Sequence, residues 1–498
     1  MGLNLNELLT SSSTKFPNRK AVIVGDESIT YKVLQNQVNQ FSDMLVAKGI
    51  KKGDKVALVL GNCSEFVIAY FGVLRTGAVV VPINPIYTDS EVYYILENSQ
   101  ATMVITHQSL EERFSALNVK LRNLTSILYT ENFESLLQET YPSHAPAAVN
   151  EQDLAVILYT SGTTGKPKGA MLTHRNMVSN AHSISELTAT TEEDIMVTVL
   201  PIFHVFCMTV CMNVPLSAGA AMLIIPKFAP KEILDAVETE KATLFAGVPT
   251  MYSYLLQLPR ESAYKFATIR LCLSGGASLP VEVLQNFEEK FNVKICEGFG
   301  LSETAPVTAF NPVDGVRKSG SVGVDIPGVT NKVVNPEGQE VPRGEVGELI
   351  VKGPNVMMGY LGMPEETAAA LKDGWFYTGD LAKMDEEGYV FIIDRMKDMI
   401  LSGGYNVYPR EVEEVLYEHP EIVEAAVIGV PHTEFGESVK AFVVSSSPAL
   451  TAESVIEHCQ IKLAKYKVPR EVEFLQELPK NTTGKILRRS LRETISTF

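Results

Sequence analysis

The sequence predicts an α/β protein in which a large N-terminal domain of stacked, mostly parallel sheets carries a small β region and is followed by a small α+β domain. Short apolar runs alternate with helical patterns over residues 21–273, an order typical of parallel sheets. Over residues 320–352 short strands are separated by Gly and Pro turns, which indicates an antiparallel region. Beyond a charged link at residues 394–398, helices and strands alternate over a length that suits one compact module.

Apolar runs of strand length mark the predicted parallel strands of the large domain. They cover residues 55–60, 78–82, 103–106, 154–159, 195–201, 221–225, 243–246 and 269–273. In the C-terminal part, helical patterns cover residues 409–419 and 452–463, and strand patterns cover 425–430, 439–445 and 472–474. We therefore predict an N-terminal domain over residues 1–394, a hinge at 395–398 and a C-terminal domain over 399–498.

Composition and charge limit the functions that the chain can have. Its 498 residues carry a formal net charge of -16, so it lacks the basic surface of a general nucleic-acid binder. Residues 1–17 lack the basic start and apolar core of a signal peptide, and no apolar run is long enough to span a bilayer. The six cysteines are scattered and show no metal-binding spacing, which favours reduced thiols in a cytoplasmic protein.

Residues 159–169, Y-T-S-G-T-T-G-K-P-K-G, form the most informative segment of the chain. Its glycines permit close approach of the backbone to a ligand, its hydroxyls can donate hydrogen bonds, and Lys166 and Lys168 attract anions. A Walker A loop needs four residues between its first glycine and its Gly-Lys pair, whereas only two separate Gly162 from Gly165. We predict a phosphate-binding loop of another kind, with a solvated Gly/Ser/Thr-rich surface loop as the alternative.

The whole string resembles the phosphate-binding signature of the adenylate-forming superfamily, which includes acyl-CoA synthetases, firefly-type luciferases and the adenylation domains of peptide synthetases. Five further segments match this superfamily in the same order along the chain. The segments C-M-T-V-C-M-N-V-P-L, F-A-G-V-P-T-M-Y and K-D-M-I-L-S-G-G-Y-N-V-Y-P-R-E-V-E-E-V-L are most similar to bacterial long-chain fatty acid-CoA ligases. The resemblance implies a mobile C-terminal domain and the following ATP-binding residues in the loop: Thr160, Ser161, Gly162, Thr163, Thr164, Gly165 and Lys166.

The resemblance places the adenine site in two glycine-rich segments, residues 274–278 and 298–304. Ser302 is implied to bind the α-phosphate and Glu303 to hold Mg²⁺, a hard cation that prefers carboxylate and phosphate oxygens. Phe299 and Ser302 replace the commoner Tyr and Thr, but they keep the ring and the hydroxyl. The implied adenine-site residues are Gly275, Gly276, Ala277, Glu297, Gly298, Phe299 and Gly300.

Two segments near the predicted hinge carry further implied contacts. In W-F-Y-T-G-D-L, Asp380 matches a carboxylate that accepts hydrogen bonds from the ribose hydroxyls, although an Asp after a glycine is most often a turn residue. Arg395 also matches a ribose contact, and Lys397 lies at the hinge itself. The segment L-S-G-G-Y-N-V-Y-P matches the loop that lines the pantetheine tunnel of coenzyme A through Ser402, Gly403 and Gly404.

Residues 200–206, L-P-I-F-H-V-F, match one wall of the acyl pocket. His204 is implied to close this wall and is counted among the catalytic residues, although a lone His in an apolar sequence is more often a core residue. Only apolar side chains surround it, which suits a lipid tail. The implied acyl-pocket residues are Phe203, Val205, Phe206 and Met208.

Lys485, in P-K-N-T-T-G-K-I-L-R-R, matches the catalytic lysine of the superfamily, although a basic run near a C-terminus is normally a solvated tail. The implied reaction has two steps: a carboxylate displaces pyrophosphate from MgATP, and the thiol of coenzyme A then displaces AMP. In the first step Lys485 would neutralise developing charge, and a domain movement would replace it by the coenzyme A loop for the second. The expected cofactors are ATP, Mg²⁺ and coenzyme A, and the expected partners are small molecules.

Several alternatives to a ligase for medium- to long-chain fatty acids remain open. An aryl or short dicarboxylic acid could be the substrate, because packing sets the pocket shape. An acyl-AMP ligase without a coenzyme A step would carry a long insertion, and a peptide-synthetase domain would be followed by a carrier domain, neither of which the sequence shows. A non-catalytic sensor would be expected to lack Lys485 or Glu303. A homodimer and transient membrane contact also remain open.

Overall fold

The computed structural model describes residues 4–160, 167–481 and 484–495. Six of the predicted phosphate-loop residues, 161–166, lie outside these ranges. The described residues form four β-sheets connected by helices, which confirms the predicted α/β fold class with a small C-terminal α+β unit. Within these ranges no helix combines the length and the hydropathy that crossing a bilayer requires.

The helices and strands are numbered here in chain order. Up to residue 225 they are α1 (Leu5–Lys15), β1 (Lys20–Val24), β2 (Glu27–Thr30), α2 (Tyr31–Ala47), β3 (Lys55–Val59), α3 (Ser64–Arg75), β4 (Val79–Pro82), α4 (Asp89–Ser99), β5 (Met103–Thr106), α5 (Glu111–Asn118), β6 (Ser126–Tyr129), α6 (Phe133–Gln138), β7 (Leu154–Thr160), β8 (Lys168–Thr173), α7 (His174–Leu187), β9 (Ile195–Thr198), α8 (Val214–Ala218) and β10 (Ala221–Ile224). From residue 226 to 395 they are α9 (Pro230–Glu240), β11 (Leu244–Gly247), α10 (Pro249–Leu256), β12 (Leu271–Ser274), α11 (Val281–Phe291), β13 (Ile295–Gly300), β14 (Val307–Phe310), β15 (Val324–Asp325), β16 (Thr330–Val334), β17 (Gly347–Lys352), β18 (Gly359–Tyr360), α12 (Pro364–Ala370), β19 (Leu371–Lys372), β20 (Trp375–Met384) and β21 (Val390–Arg395). The remaining elements are β22 (Ile400–Ser402), β23 (Tyr405–Val407), α13 (Pro409–Tyr417), β24 (Ile422–His432), β25 (Gly436–Ser445), α14 (Ala452–Lys462), β26 (Glu471–Phe474) and α15 (Arg488–Ile495).

Two large sheets form the body of the N-terminal part. One has the strand order β15-β14-β13-β12-β11-β9-β10-β1-β2 and is parallel from β13 to β1. The other has the order β18-β8-β7-β4-β3-β5-β6 and is parallel from β7 to β6. One continuous apolar core includes strand residues of both sheets, such as Val156 and Val197. Because parallel strands are covered on both faces, they appear in the sequence as unbroken apolar runs.

The small β region is a five-stranded antiparallel sheet that extends beyond the predicted residues 320–352. β16 pairs with β17, β17 with β20, and β20 with both β19 and β21. The pairing of β17 with β20 joins Val351 to Phe376 across one helix and two short strands, α12, β18 and β19. The sequence pattern marked the region correctly, but it did not reveal this non-local pairing.

The C-terminal unit has its own sheet, in the order β23-β22-β25-β24, with β26 beside β25. The long hairpin β24–β25 has apolar cores on two faces, one around Val412, Val427 and Val455 and the other around Phe442 and Leu491. The predicted strand at 425–430 is therefore the middle of a longer one. Between β21 and β22 the chain forms a short turn at Met396–Asp398, where the hinge is predicted.

Gly323 provides a test of how tightly the small β region is packed. Its φ is +89°, and a Cβ there would lie 2.0 Å from the carbonyl carbon of Phe310. We expect Gly323→Ala to destabilise the protein by more than the roughly 1–2 kcal/mol of left-handed strain, because the backbone itself must move. Gly388→Ala is the matched control, since Gly388 has a φ of +86° and no described atom within 4 Å of its Cβ position. Thermal unfolding should show a clearly lower Tm for Gly323→Ala; equal Tm values would contradict the role of the contact.

Candidate active site

The predicted site residues lie where strands of the two large sheets end. β7 ends at Thr160 and β9 is followed by residues 200–206, while Gly275 follows β12 and Ser302 follows β13. The carboxyl ends of neighbouring parallel strands meet at one edge of a sheet, and ligands of open α/β folds bind at such edges. Gly276 and Ala277 belong to the same turn as Gly275. The fold therefore places motifs from residues 160 to 302 at the carboxyl ends of strands in these two sheets.

Bare backbone lines the part of the site predicted to receive adenine. A Cβ at Gly275 would lie 3.3 Å from the ring of Phe206 and 3.4 Å from the carbonyl oxygen of Gly298. At Gly300 a Cβ would lie only 2.2 Å from the carbonyl oxygen of Pro306, so no larger residue fits there without backbone movement. Contacts within the protein therefore require the small size of each glycine, and the approach of adenine to this backbone stays a prediction.

Glu303 lies on the turn Ser302–Thr304, and it is buried. The hydroxyl of Tyr360 donates a hydrogen bond to its Oε1 at 2.8 Å. Burial raises the pKa of Glu303, whereas this hydrogen bond and the charge of Arg395 oppose the rise. Lys168, at the start of β8, lies over the Tyr360 ring at 5.1 Å, so Tyr360 connects Glu303 with the strand that follows the phosphate loop.

Two buried asparagines fix the backbone behind Glu303. Asn355 Nδ2 donates to the carbonyl oxygens of Thr304 at 2.9 Å and Val307 at 3.0 Å. Asn180 donates to the Val307 oxygen at 2.7 Å and accepts from the Val307 nitrogen at 3.1 Å. These hydrogen bonds tie the backbone around Glu303, and its carboxylate, to two distant parts of the chain, at residue 180 and at residues 355–360.

Asp380 and Arg395 face each other across β20 and β21. They are directly paired in the sheet, and Arg395 Nε lies 3.3 Å from Asp380 Oδ1. Asp380 is 3% exposed, and its Oδ2 has no hydrogen-bond partner among the described residues. Burial raises the pKa of Asp380, and the charge of Arg395 counteracts this. A buried acceptor without a partner fits the hydroxyl donors of a ribose.

Lys485 belongs to a tight loop, here called the lysine loop, that runs from Lys480 to Ile486, with residues 482 and 483 outside the described ranges. Lys480 and Ile486 form an antiparallel bridge at its base. Across the loop, the nitrogen of Asn481 donates to the Lys485 oxygen at 2.9 Å, and Asn481 Oδ1 accepts from the Lys485 nitrogen at 2.9 Å. These bonds make Lys485 part of a rigid loop rather than a solvated tail.

The charge of Lys485 interacts with the Asp380–Arg395 pair. Burial and then the charge of Arg395 lower the pKa of Lys485 to about 8, whereas the charge of Asp380 raises it. Burial and then the charge of Lys485 lower the pKa of His204 to about 4. The structure therefore brings together four predicted site residues from four separate segments, and one of them comes from the C-terminal unit.

Ion pairs hold the C-terminal unit against the end of β21. Arg488 on α15 lies 3.3 Å from Asp394 and 2.7 Å from Glu413. Arg492 lies 2.9 Å from Asp398 in the predicted hinge turn. Arg488 thus connects the end of β21 with α13 of the C-terminal unit, close to Lys397, whose side chain is exposed.

The predicted coenzyme A loop lies at the surface. Gly403 and Gly404 are exposed and have φ values of +60° and +84°, while Ser402 is buried. The nitrogen of Gly403 donates to the carbonyl oxygen of Phe435, within the same unit, at 2.9 Å. In this orientation the charge of Lys485 acts on Asp380, whereas the two glycines of the predicted coenzyme A loop lie at the surface.

Two predicted adenine-site side chains are engaged within the protein. Glu297 is buried and its Oε1 accepts a hydrogen bond from the nitrogen of Leu279 at 3.0 Å. Burial raises the pKa of Glu297 to about 7. Phe299 packs against the core of the antiparallel sheet beside Ala309 and Val322. Their contact with adenine stays a prediction.

The predicted acyl-pocket residues divide into two groups. Val205 and Met208 are buried in the main core, whereas Phe203 and Phe206 are partly buried and pack against it. The nitrogen of Phe206 donates to Nδ1 of His204 at 3.3 Å. Because the Phe206 ring also lies against Gly275, this segment borders the glycine-lined part of the site.

The carboxylates of the site suit a magnesium ion whose other ligands are mainly oxygens of the substrate phosphates. Within the described ranges, no group of three or more His, Cys, Asp or Glu side chains could form a metal cage. Mg²⁺ commonly binds through one or two carboxylates together with substrate phosphates. Glu303, a buried carboxylate beside the strand that follows the phosphate loop, is a suitable ligand of this kind.

Comparisons with known proteins agree with this geometry. Residues 9–361 match the AMP-binding enzyme family, and residues 411–485 match the AMP-binding enzyme C-terminal domain. The chain belongs to the AMP-binding enzyme family. The long-chain-fatty-acid--CoA ligase of Bacillus subtilis (strain 168) is 40% identical to it over 528 aligned positions, covering 98% of this chain and 94% of the relative. These matches confirm the adenylate-forming superfamily and the enzyme class, an AMP-forming acid-thiol ligase.

Solved structures of this family have the same fold. ATP-bound MatB from Rhodopseudomonas palustris is 37% identical, with a TM-score of 0.93 and 99% coverage of both chains. The same protein in its apo form, with 100% and 99% coverage, gives a TM-score of 0.82. A benzoate CoA ligase from Burkholderia xenovorans LB400 is 28% identical, with a TM-score of 0.90 and coverage of 98% and 99%. The arrangement of this AMP-binding enzyme thus matches the ATP-bound form of MatB more closely than the apo form.

Some residues that shape the site were not predicted from the sequence. Tyr360, Asn180 and Asn355 act through hydrogen bonds to partners that are distant in the sequence. No local spacing distinguishes them from ordinary core residues. The G-Y pair at 359–360 could have suggested a constrained strand, but not a contact with Glu303.

The lowered pKa of Lys485 can be tested directly. A neutral amine reacts with acylating reagents and an ammonium does not, so the labelling rate of Lys485 should reach half of its maximum at pH about 8. Asp380→Asn should move this midpoint to lower pH, because the carboxylate favours the ammonium. Arg395→Gln should move it to higher pH, because the guanidinium disfavours the ammonium.

Peptide mass spectrometry of the enzyme, labelled at graded pH with the same reagent, would measure these midpoints. The two variants act as controls for each other, since they remove charges of opposite sign from the same ion pair. Midpoints that shift in the same direction in both variants would show that the charges do not act on Lys485 as described.

Proposed function

We propose that this AMP-binding enzyme is a fatty acid-CoA ligase that activates medium- to long-chain fatty acids. The observation that carries the proposal is the placement of Lys485, from the C-terminal unit, beside the buried Asp380–Arg395 pair. Lys485 therefore adds the positive charge of its ammonium group to the place where the nucleotide is expected to bind. The 40% identity to a long-chain-fatty-acid--CoA ligase supports the substrate class.

MgATP is held by groups that the sequence motifs and the geometry jointly indicate. Thr160 and residues 161–166 hold the β- and γ-phosphates, and the glycine-lined surface at Gly275 and Gly298 receives adenine. Asp380, whose Oδ2 has no partner among the described residues, accepts hydrogen bonds from the ribose hydroxyls. Arg395 makes a further contact with the ribose. When bound at Glu303, Mg²⁺ neutralises phosphate charge.

In the first half-reaction a carboxylate oxygen of the acid forms a bond to the α-phosphorus as the bond to pyrophosphate breaks. Lys485 stabilises the extra negative charge on the α-phosphate, and Ser302 donates a hydrogen bond to it. His204, with a pKa of about 4, stays neutral at physiological pH. It therefore shapes the wall beside the carboxylate without competing with Lys485 for the negative charge.

In the second half-reaction the thiol of coenzyme A attacks the acyl carbon of the adenylate and AMP leaves. Ser402, Gly403 and Gly404 line the path of the pantetheine arm; in the present orientation the two glycines lie at the surface and Ser402 is buried. The C-terminal unit must therefore rotate about the hinge at Lys397, which removes Lys485 and brings in this loop. Hinged movements of this kind commonly separate two steps of one reaction.

The acyl group is proposed to lie along the apolar segment that follows β9. Phe203, Val205, Phe206 and Met208 offer no polar side chain to a second carboxylate, which favours a hydrocarbon tail. The alternative is a ligase for an aryl or short dicarboxylic acid, since a benzoate CoA ligase has the same fold at a TM-score of 0.90. An acyl-AMP ligase without a coenzyme A step is the other alternative.

We propose that the enzyme works in the cytoplasm on small molecules alone. All six cysteines are free thiols in the structure, as in proteins of reducing compartments. The net charge of -16 speaks against nucleic acid as a partner. Transient membrane contact and a homodimer stay open proposals, each addressed by measuring vesicle sedimentation or solution mass.

Replacing Lys485 tests its proposed role. Lys485→Ala should lower the rate of acyl-adenylate formation by about a hundredfold or more, because a preorganised charge is lost. Thioester formation from a supplied acyl-adenylate should stay close to wild type. Lys231→Ala, at an exposed lysine on α9, is the control and should leave both steps unchanged. Equal loss of both half-reactions would contradict the proposed role.

The substrate class can be measured by pyrophosphate release with acids from acetate to oleate, with and without coenzyme A. Each buried methylene contributes about 0.8 kcal/mol, so kcat/KM should rise by up to roughly fourfold per methylene until the pocket is full. AMP, not ADP, should accumulate, and acyl-CoA should form only with coenzyme A. A preference for benzoates or dicarboxylates would overturn the fatty acid assignment, and the absence of acyl-CoA would favour the acyl-AMP ligase.

A further inference from the structure

The base of the lysine loop makes a polar contact with the N-terminal part that the proposed reaction has not used. Lys480 Nζ lies 3.1 Å from the hydroxyl oxygen of Tyr254 on α10. Nζ also lies 2.7 Å from Glu424 Oε1 on β24. Lys480 and Glu424 both belong to the C-terminal unit, so within this cluster it is Tyr254 that connects the unit with the N-terminal part.

Burial makes the ion pair within this cluster a fixed feature of the C-terminal unit. The side chains of Lys480 and Glu424 are only 11% and 3% exposed. Separating a buried pair leaves an uncompensated charge away from water, which is strongly unfavourable. Lys480 therefore stays with Glu424 when the unit moves, and the bond that breaks is the one to Tyr254.

The N-terminal end of α10 and the residue before it contact the lysine loop at two further points. Thr250 Oγ1 donates to the carbonyl oxygen of Gly484 at 3.4 Å. A Cβ at Gly484, whose φ is +82°, would lie 2.9 Å from Val248. The residue next to Lys485 thus packs closely on the segment that leads into α10.

Contacts within the lysine loop connect Lys480, which is held on α10, with Lys485. The bridge between Lys480 and Ile486 closes its base, and the hydrogen bonds of Asn481 to Lys485 close it further. These contacts tie Lys480 and Asn481 directly to Lys485 and Ile486. Fixing Lys480 on α10 therefore also fixes the position from which Lys485 reaches Asp380.

We propose that the hydrogen bond between Tyr254 and Lys480 is a latch that holds the C-terminal unit in the adenylate-forming orientation. Tyr254 and Lys480 are then positioning residues for the first half-reaction, and they act through Lys485. In the thioester-forming orientation the latch is open. The proposal rests on the proposed two-step reaction and adds to it a contact that selects one of its two domain orientations.

Tyr254→Phe tests the latch with the least disturbance, because it removes one hydroxyl and keeps the ring. Acyl-adenylate formation should slow by about tenfold, which corresponds to about 1.4 kcal/mol and to the usual strength of a hydrogen bond with a charged donor. Thioester formation from supplied acyl-adenylate should be unchanged or faster. Tyr264→Phe, at a tyrosine that is 63% exposed, is the matched control and should leave both rates unchanged.

A second set of variants separates the latch from a merely structural role. The double variant Lys480→Met/Glu424→Leu replaces the buried ion pair by apolar side chains, an exchange that proteins often tolerate. It should slow adenylate formation to the same extent as Tyr254→Phe. Adding Tyr254→Phe to it should cause no further loss, because both changes break the same contact.

The possible outcomes distinguish the latch from the reaction on which it rests. A wild-type enzyme that performs neither half-reaction would overturn the proposed function and the latch together. If the wild type performs both, an equal loss of both rates in Tyr254→Phe, unchanged rates, or additive losses in the triple variant would overturn the latch alone. A selective and non-additive loss of adenylate formation would support it.

Discussion

The mutual compensation of buried charges where the C-terminal unit meets β21 is the constraint on which the site depends. Asp380 is buried and would lose much free energy without a compensating charge, and the partly exposed Arg395 together with Lys485 supplies that charge. Arg488 on α15 also forms ion pairs with Asp394 on β21 and with Glu413 on α13, and these pairs connect the C-terminal unit with β21. Because these charges come from both sides, the position of the C-terminal unit decides which chemistry the site can perform.

In the proposed reaction, the functional groups are divided between a fixed N-terminal body and a movable C-terminal one. Glu303 belongs to the fixed body, where Tyr360 and two asparagines determine its position. Lys485 and the loop at Gly403 belong to the other body, and only Lys485 is at the site in this orientation. Such a division allows one nucleotide site to serve two successive reactions, since a single rotation exchanges one set of groups for the other.

Much of the fold could be predicted because local patterns carry it. Parallel strands buried on both faces appear as apolar runs, and the order of strands and helices then restricts the topology. The pairing of β17 with β20 could not be predicted, because it depends on a non-local register. The same holds within the site. Tyr360 and Glu303 are 57 residues apart, and Tyr254 and Lys480 are 226 apart, so no spacing in the sequence connects them.

The sequence by itself determined the superfamily, the α/β architecture and the set of groups that a nucleotide-dependent ligase needs, because each motif is a contiguous run whose residue types are suited to its ligand. Only the tertiary structure decided which of these groups meet. It placed Lys485 beside Asp380, left Gly403 at the surface, and turned the Glu297 side chain into a buried partner of Leu279. The physical reason is that burial, charge compensation and domain orientation arise from contacts between distant segments, and a linear pattern does not encode them.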